Sequence, residues 1–422
     1  MPGTAASGDE WTTFGGNAQR SGVAVGQPPV TTLAPRWRAV LRGQVYAEPL
    51  VVGGTVVIAT EHDTVTALSA RTGTVEWRDH LGTPMPGSAL PCGNIDPSGI
   101  TGTPVADLAT GMLWAVTFTE PGIHQLVGVE LANGHVVSRR TIALGGVDPL
   151  AEQQRGALAL AGGSVLVPFG GLYGDCGTYR GMVASFPVEA PGGQLTFVVP
   201  ARREAAIWAT PGPVVAPGGS VLVATGNGSS TTAYDEGDSV VALGPELRPT
   251  STFAPRRWAT LNAEDLDLGS TSPTLVGDDR VLQVGKSGVA YLLDTANLGG
   301  IGGELASLAV CGGEAMGSTA VDGSTVLVPC RSGLTAVAVG PGPRLRVIWR
   351  SPKTVAAAPV LAAGRVWAVT TTGRLVSLDP ATGATLSDLA VGTGATSFPP
   401  LAVADGTAYV AAGATVTAVG GV

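Results

Sequence analysis

Ala67-Leu68-Ser69-Ala70-Arg71-Thr72-Gly73-Thr74-Val75-Glu76-Trp77 returns late in the chain as Ser377-Leu378-Asp379-Pro380-Ala381-Thr382-Gly383-Ala384-Thr385-Leu386. Each stretch reads as strand, tight turn, strand, with Gly73 and Gly383 supplying the positive φ the turn requires. Ahead of each lies a second matching pair. Pro49-Leu50-Val51-Val52-Gly53-Gly54-Thr55-Val56-Val57-Ile58-Ala59 parallels Pro359-Val360-Leu361-Ala362-Ala363-Gly364-Arg365-Val366-Trp367-Ala368-Val369. One unit is therefore four short antiparallel strands.

Equivalent first strands begin near Pro49, Pro104, Ala157, Pro213, Pro273, Ala320, Pro359 and Pro400, a step of about 50 residues. Four strands at that period describe a propeller blade, and eight such starts predict an all-β, eight-bladed β-propeller. The last blade reaches Val422 with only three strands. Ala34-Pro35-Arg36-Trp37-Arg38-Ala39-Val40 is the expected fourth, with Trp37 where Trp77 and Trp349 stand in their own blades. Closure of this kind removes an open sheet edge. Residues 1–32 then form an N-terminal extension and 33–422 a single propeller.

The 24 Lys and Arg against 32 Asp and Glu leave a net charge of −8 with no basic cluster, which argues against nucleic-acid binding. Charged residues make up only 13% of the chain, as expected where most strands pack against neighbouring blades. No apolar run is long enough to cross a membrane. Met1-Pro2-Gly3-Thr4 opens a small polar segment without the apolar centre of a leader. The four cysteines lack zinc-site spacing and allow three pairings. Cys92–Cys176 and Cys311–Cys330 are the expected bridges, with four buried thiols as the alternative. The second bridge closes a loop of about 20 residues, worth roughly 3 kcal/mol in the chain-entropy model. Bridges imply an exported chain, extracellular or in the cell envelope, whose leader is not part of this sequence. His62, His80, His124 and His135 fall at scattered blade positions and read as surface residues. A monomer is expected.

The Ala-Leu-x-x-x-Thr-Gly-x-x-x-Trp repeat resembles that of pyrroloquinoline quinone (PQQ) dependent dehydrogenases. Their non-catalytic relatives include the propeller of the bacterial outer-membrane assembly machine. The middle of the chain extends the resemblance. Ile207-Trp208-Ala209-Thr210-Pro211 is followed by Val223-Ala224-Thr225-Gly226-Asn227-Gly228, Asn262-Ala263-Glu264-Asp265-Leu266-Asp267 and Gly285-Lys286-Ser287-Gly288. By this resemblance Trp208 floors a quinone, Asn227 ligates calcium, Asp265 takes the alcohol proton and Lys286 polarises the quinone. The residue types suit that chemistry. Alcohol oxidation needs a carboxylate within hydrogen-bond reach, and a hard oxygen-liganded cation polarises a carbonyl.

The sequence departs from the catalytic pattern in two places. Catalytic members carry two adjacent cysteines, whereas Cys92 stands alone. They also carry a Glu ligand before an Arg-Gly pair. The matching stretch, Tyr173-Gly174-Asp175-Cys176-Gly177-Thr178-Tyr179-Arg180-Gly181, offers only Asp175 as a second calcium ligand. Asn227, Asp235, Glu236 and Asp238 form a separate oxygen-rich loop of no standard calcium spacing. Arg155 precedes a first strand and is placed to reach the funnel.

Each residue also has a structural reading: Trp208 as a packing residue, Asn227 and Asp265 as turn residues, Lys286 and Arg155 as solvated side chains. The leading expectation is a propeller that binds a small molecule or protein partner through its funnel and loops without quinone redox chemistry. A PQQ- and calcium-dependent alcohol dehydrogenase is the alternative. A repurposed enzyme without quinone is the third reading.

Overall fold

The computed structural model describes residues 10–189, 192–351, 358–392 and 398–422. Eight sheets stand in a ring, each built from four antiparallel strands, and three of them gain an extra two-residue strand. Blade 1 comprises Leu50–Val52, Thr55–Thr60, Thr64–Ser69 and Val75–His80, ordered outward from the axis. Blades 2 to 7 repeat this order. Blade 8 is composite: Leu401–Ala404, Thr407–Ala412 and Thr415–Gly420 are completed by the N-terminal strand Ala34–Val40. The closing pair runs antiparallel from Ala34 opposite Gly420 to Val40 opposite Thr415, so both ends of the chain share one sheet as the repeat predicts.

The Thr-Gly turn has a second purpose beyond its positive φ. The outer-strand tryptophan of each of three blades lies on the turn glycine of the next blade. Trp37 covers Gly73, Trp77 covers Gly134 and Trp349 covers Gly383; a Cβ on these glycines would come within 2.4–2.6 Å of the indole. The indole N–H donates to a carbonyl beside the same turn: Trp37 to Ala70 at 2.8 Å, Trp77 to Leu131 at 3.0 Å and Trp349 to Pro380 at 2.8 Å. The glycine is thus required both by backbone conformation and by the neighbouring ring. Trp37 docks the composite blade onto blade 1 by the contact that joins ordinary blades.

The outer strands carry a repeated β-bulge. Arg36, Glu76, Val137, Ile348 and Leu386 are each the extra residue in their register. The bulge twists the outer strand and leaves its extra side chain outward. This accounts for Val137, Ile348 and Leu386 among the exposed apolar side chains. The core lies between blades, in layers of Val, Leu and Ala from facing sheets, such as Val105, Trp114, Leu158, Val165, Val167 and Phe169.

Both expected disulfides form. Cys92–Cys176 ties the loop between blades 1 and 2 to a loop of blade 3, and Cys311–Cys330 joins blades 5 and 6. His124 departs from its expected surface position. It is 2% exposed, stacked on Phe118 at 4.0 Å between centroids and edge-on to Phe169 at 5.3 Å. An imidazole is apolar enough to fill such a slot when one ring nitrogen finds a partner, and Nε2 lies 3.1 Å from the Pro149 carbonyl oxygen. Burial pulls its pKa down to about 4, so it stays neutral near pH 7.

Candidate functional site

The loops joining second to third strands, and those joining one blade to the next, emerge on one face of the ring. The sequence-predicted residues lie on these loops. In blade 4 the strand Val221–Ala224 runs into Thr225, whose hydroxyl accepts from the Ser239 N–H at 2.9 Å and donates to the Glu236 carbonyl at 2.7 Å. This fixes the base of the loop and aims the Asn227 N–H at Asp267 Oδ1, 2.7 Å away. Gly226 is required by close approach: a Cβ there would lie 2.3 Å from Asp267 Oδ1 and 3.3 Å from the Trp208 indole nitrogen. Trp208 and Asp267 therefore share one wall.

The connection to blade 5 contains the short helix Trp258–Glu264, which ends at Asp265 in a left-handed conformation (φ 52°). Asn262 on this helix accepts from the Gly228 N–H at 2.8 Å and donates to the Ser230 carbonyl at 2.6 Å, clamping the neighbouring loop. The turn after the helix delivers both carboxylates to Lys286. Its ammonium lies 2.8 Å from Asp265 Oδ1 and 2.6 Å from Asp267 Oδ2, and its backbone N–H donates to the Asp267 carbonyl at 2.9 Å. Burial alone would lower the lysine pKa; Asp267 first and then Asp265 override it and hold the ammonium above its usual range. Behind them Asp238 is wholly buried and accepts from the Leu268 N–H at 2.7 Å. Burial pushes its carboxyl up to about 8.

Trp208 also faces Phe398, with ring centroids 6.4 Å apart and planes tilted by 46°. The Arg155 guanidinium sits 5.9 Å from the Phe398 ring and 5.6 Å from the Tyr46 ring. Burial lowers its pKa to about 10, and the Glu61 charge opposes that fall. Glu61 accepts from the Gly99 N–H at 2.7 Å and the Thr101 hydroxyl at 3.0 Å; Asp63 lies wholly buried two residues on. These side chains come from loops of one face spaced around the ring and are linked by the contacts of Trp208 with Phe398 and of Arg155 with Phe398 and Tyr46; the space they surround is the axial cup.

The structure thus brings Trp208, Asn227, Asp265 and Lys286 together, with Arg155 joined to them through Phe398. Asp175 stands on a neighbouring loop beside the Cys92–Cys176 bridge, where its carboxylate accepts from the Tyr179 hydroxyl and its carbonyl from Arg203. Sequence reading missed Tyr46, Phe398, Glu61 and Asp63. Asp267 carried a signal, since it is the second acid of the Asp-x-Asp segment.

Asp265, Lys286 and Asp175, which the resemblance assigns as base, quinone contact and calcium ligand, are engaged by protein groups. Both Asp267 oxygens are engaged, one by the Asn227 N–H and one by Lys286, and Asp175 is turned to Tyr179. Among the described residues, no group of three or more His, Cys, Asp or Glu is arranged to hold a metal ion. The loop of Asp235, Glu236 and Asp238 is covered by the same statement.

The ring of eight four-stranded blades is that of a PQQ-like eight-bladed propeller. Residues 30–242, just over half of the chain, match the PQQ_2 family model described as outer membrane protein assembly factor BamB, and the chain belongs to that family. Among solved structures it resembles the quinohemoprotein alcohol dehydrogenase of Comamonas testosteroni, at 17% identity and a TM-score of 0.74 over 99% of this chain and 81% of that one. A europium-containing methanol dehydrogenase is similar at 15% identity and a TM-score of 0.72, covering 96% and 90%. BamB from Moraxella catarrhalis is similar at 15% identity and a TM-score of 0.62, covering 92% and 98%. At these identities the likeness is one of fold. No curated protein sequence matches the chain.

Proposed function

We propose that this chain is a binding propeller that takes a small molecule into the axial cup without quinone redox chemistry. The observation that carries the reading is the Asp265–Lys286–Asp267 triad. The groups that the resemblance assigns as base and quinone contact neutralise each other. What remains for a ligand is an amphipathic surface: the half-buried rings of Trp208, Phe398 and Tyr46 and the exposed flank of Asp265. Such a surface suits a ligand with an apolar ring face and polar edges. The two disulfides support an extracellular or envelope location.

The dehydrogenase reading keeps one observation in its favour: the structure gathers Trp208, Asn227, Asp265 and Lys286 at one wall. A titration with PQQ and CaCl₂ separates the two. Calorimetry would follow binding, and bleaching of an artificial electron acceptor with ethanol would follow turnover. The binding reading predicts no bleaching. It also predicts that a saccharide or aromatic acid in a thermal-shift panel stabilises the protein but not Trp208→Ala. Bleaching that requires PQQ and disappears in Asp265→Asn would replace it with the dehydrogenase reading.

A further inference from the structure

The residues ahead of the closing strand thread into the ring. Every innermost blade strand has one edge paired to its own blade and the other turned to the axial channel, where its N–H and C=O groups need partners. Residues 11–22 supply them blade by blade. Trp11 exchanges two backbone hydrogen bonds with Val51 of blade 1, at 2.8 and 3.0 Å. The Thr12 carbonyl accepts from Ala106 of blade 2 at 2.8 Å, Ala18 from Val215 of blade 4 at 3.0 Å, Ser21 from Val321 of blade 6 at 2.9 Å and Gly22 from Leu361 of blade 7 at 2.8 Å. Val23–Ala24 then pairs parallel with the innermost strand of blade 7.

Side chains complete the fit. Arg20, 3% exposed, donates to the carbonyls of Leu158 at 2.8 Å, Phe14 at 3.1 Å and Pro213 at 3.3 Å, reaching blade 3 and the start of blade 4. Glu48 Oε1 accepts from the Trp11 indole at 2.6 Å and the Gly15 N–H at 2.8 Å. Phe14 packs against Ala157 and Ala358. Gly22 passes so close that a Cβ would lie 2.9 Å from the Ala320 Cβ and 3.1 Å from the Pro359 carbonyl oxygen.

We infer that the axial channel is a peptide-binding site, which the chain fills with its own residues 11–24. Recognition is by backbone hydrogen bonds to the innermost strands of five blades, with Arg20 reaching blade 3 through its side chain and Trp11 and Phe14 as further anchors. The bound segment plugs the channel and leaves the loop face as the way into the cup. This inference goes beyond the proposed ligand and is independent of it.

The exposed linker after the segment allows a test on the folded protein, since Val25, Gly26, Pro28 and Pro29 lie at the surface while Ala34–Val40 stays with the ring. A protease site inserted between Gly26 and Pro29 would be cut after folding. The expected result is that the severed fragment co-elutes with the ring on gel filtration and in native mass spectrometry. A labelled synthetic peptide of residues 10–27 should exchange into the nicked protein, and Trp11→Ala with Arg20→Ala should release the fragment. Loss of the unmutated fragment after cutting, whether or not the ring stays folded, would overturn the inference. So would equal retention of the doubly substituted fragment.

Discussion

Two acidic clusters face each other across the axial cup, and they handle buried charge in opposite ways. On the side of blades 4 and 5, Asp265 and Asp267 share the Lys286 ammonium at 2.8 and 2.6 Å. On the side of blades 1 and 2, Glu61 and Asp63 are buried, and burial outweighs the opposing charges of Arg155 on Glu61 and Arg139 on Asp63. Burial first, and the Glu61 charge second, push Asp63 up to about 9, while burial pushes Glu61 to about 7. In one cluster pairing with an ammonium opposes the cost of burial; in the other desolvation dominates. The same fold therefore sets two carboxylates on one shared ammonium at one side and leaves burial to decide at the other.

The comparison is broken most sharply at Lys286. Lys286→Met would leave Asp267, whose side chain is 6% exposed, charged and unpaired. Removing one partner of a buried pair costs about 3–5 kcal/mol, and denaturant unfolding should show it as a lower midpoint. Lys286→Met with Asp267→Asn removes both charges and should recover most of the loss. A double variant as unstable as the single one would show that lysine packing, rather than charge, holds this side together.

Asp267→Asn alone should cost less, about 1–3 kcal/mol, because Lys286 retains Asp265 while the Asn227 N–H keeps only a neutral acceptor. The matched change across the cup, Asp63→Asn, should be close to neutral at pH 7, since that carboxyl is already protonated there. Equal losses at the two positions would refute the contrast.

Next in size is the pH dependence of stability. For Glu61 and Asp63 the folded pKa lies above the unfolded one, so the native state holds protons that the unfolded chain has released. Their contribution is fully present below the unfolded values and is lost as pH rises through about 7 and about 9. Thermal midpoints should therefore fall between pH 5 and pH 9. Glu48, Glu152 and Asp238, each pushed to about 8 by burial, add to the same slope, so Glu61→Gln with Asp63→Asn should flatten it only in part. The Lys286 ammonium adds no loss in this window, because its folded pKa is raised above the usual lysine range.

The two sides also differ in how far they could be read from sequence. The blade repeat and the closing strand were legible because each is set by spacing along the chain, whereas the cysteine pairing that forms was one of three the sequence allowed. The blade 4 and 5 cluster was legible because Thr225-Gly226-Asn227, Asp265-Leu266-Asp267 and Gly285-Lys286 are contiguous segments with a recognisable order. Glu61-His62-Asp63 looks like a solvated turn between strands; only closure of the ring sets Arg155 and the neighbouring blade against it. Trp11 and Arg20 were missed for a related reason. Their partners are backbone groups of innermost strands, which leave no mark in the pattern of side chains. His124 was misread because a single imidazole in a strand has no periodicity to say which face is buried.

The smallest expected effect makes the finest distinction. Asp265 and Asp267 touch the same ammonium two residues apart, but their side chains are 63% and 6% exposed. An exposed carboxylate gains little from an ion pair, because water solvates it nearly as well. Asp265→Asn should therefore cost no more than about 1 kcal/mol, and that difference should shrink as salt is raised. The stability carried by Asp267 should hold at the same salt concentrations. If Asp265→Asn instead cost as much as Asp267→Asn, the triad would be one structural unit and its exposed flank would not be free to meet a ligand. A near-silent change in stability that alters binding in the cup would place Asp265 at the ligand and Asp267 behind it.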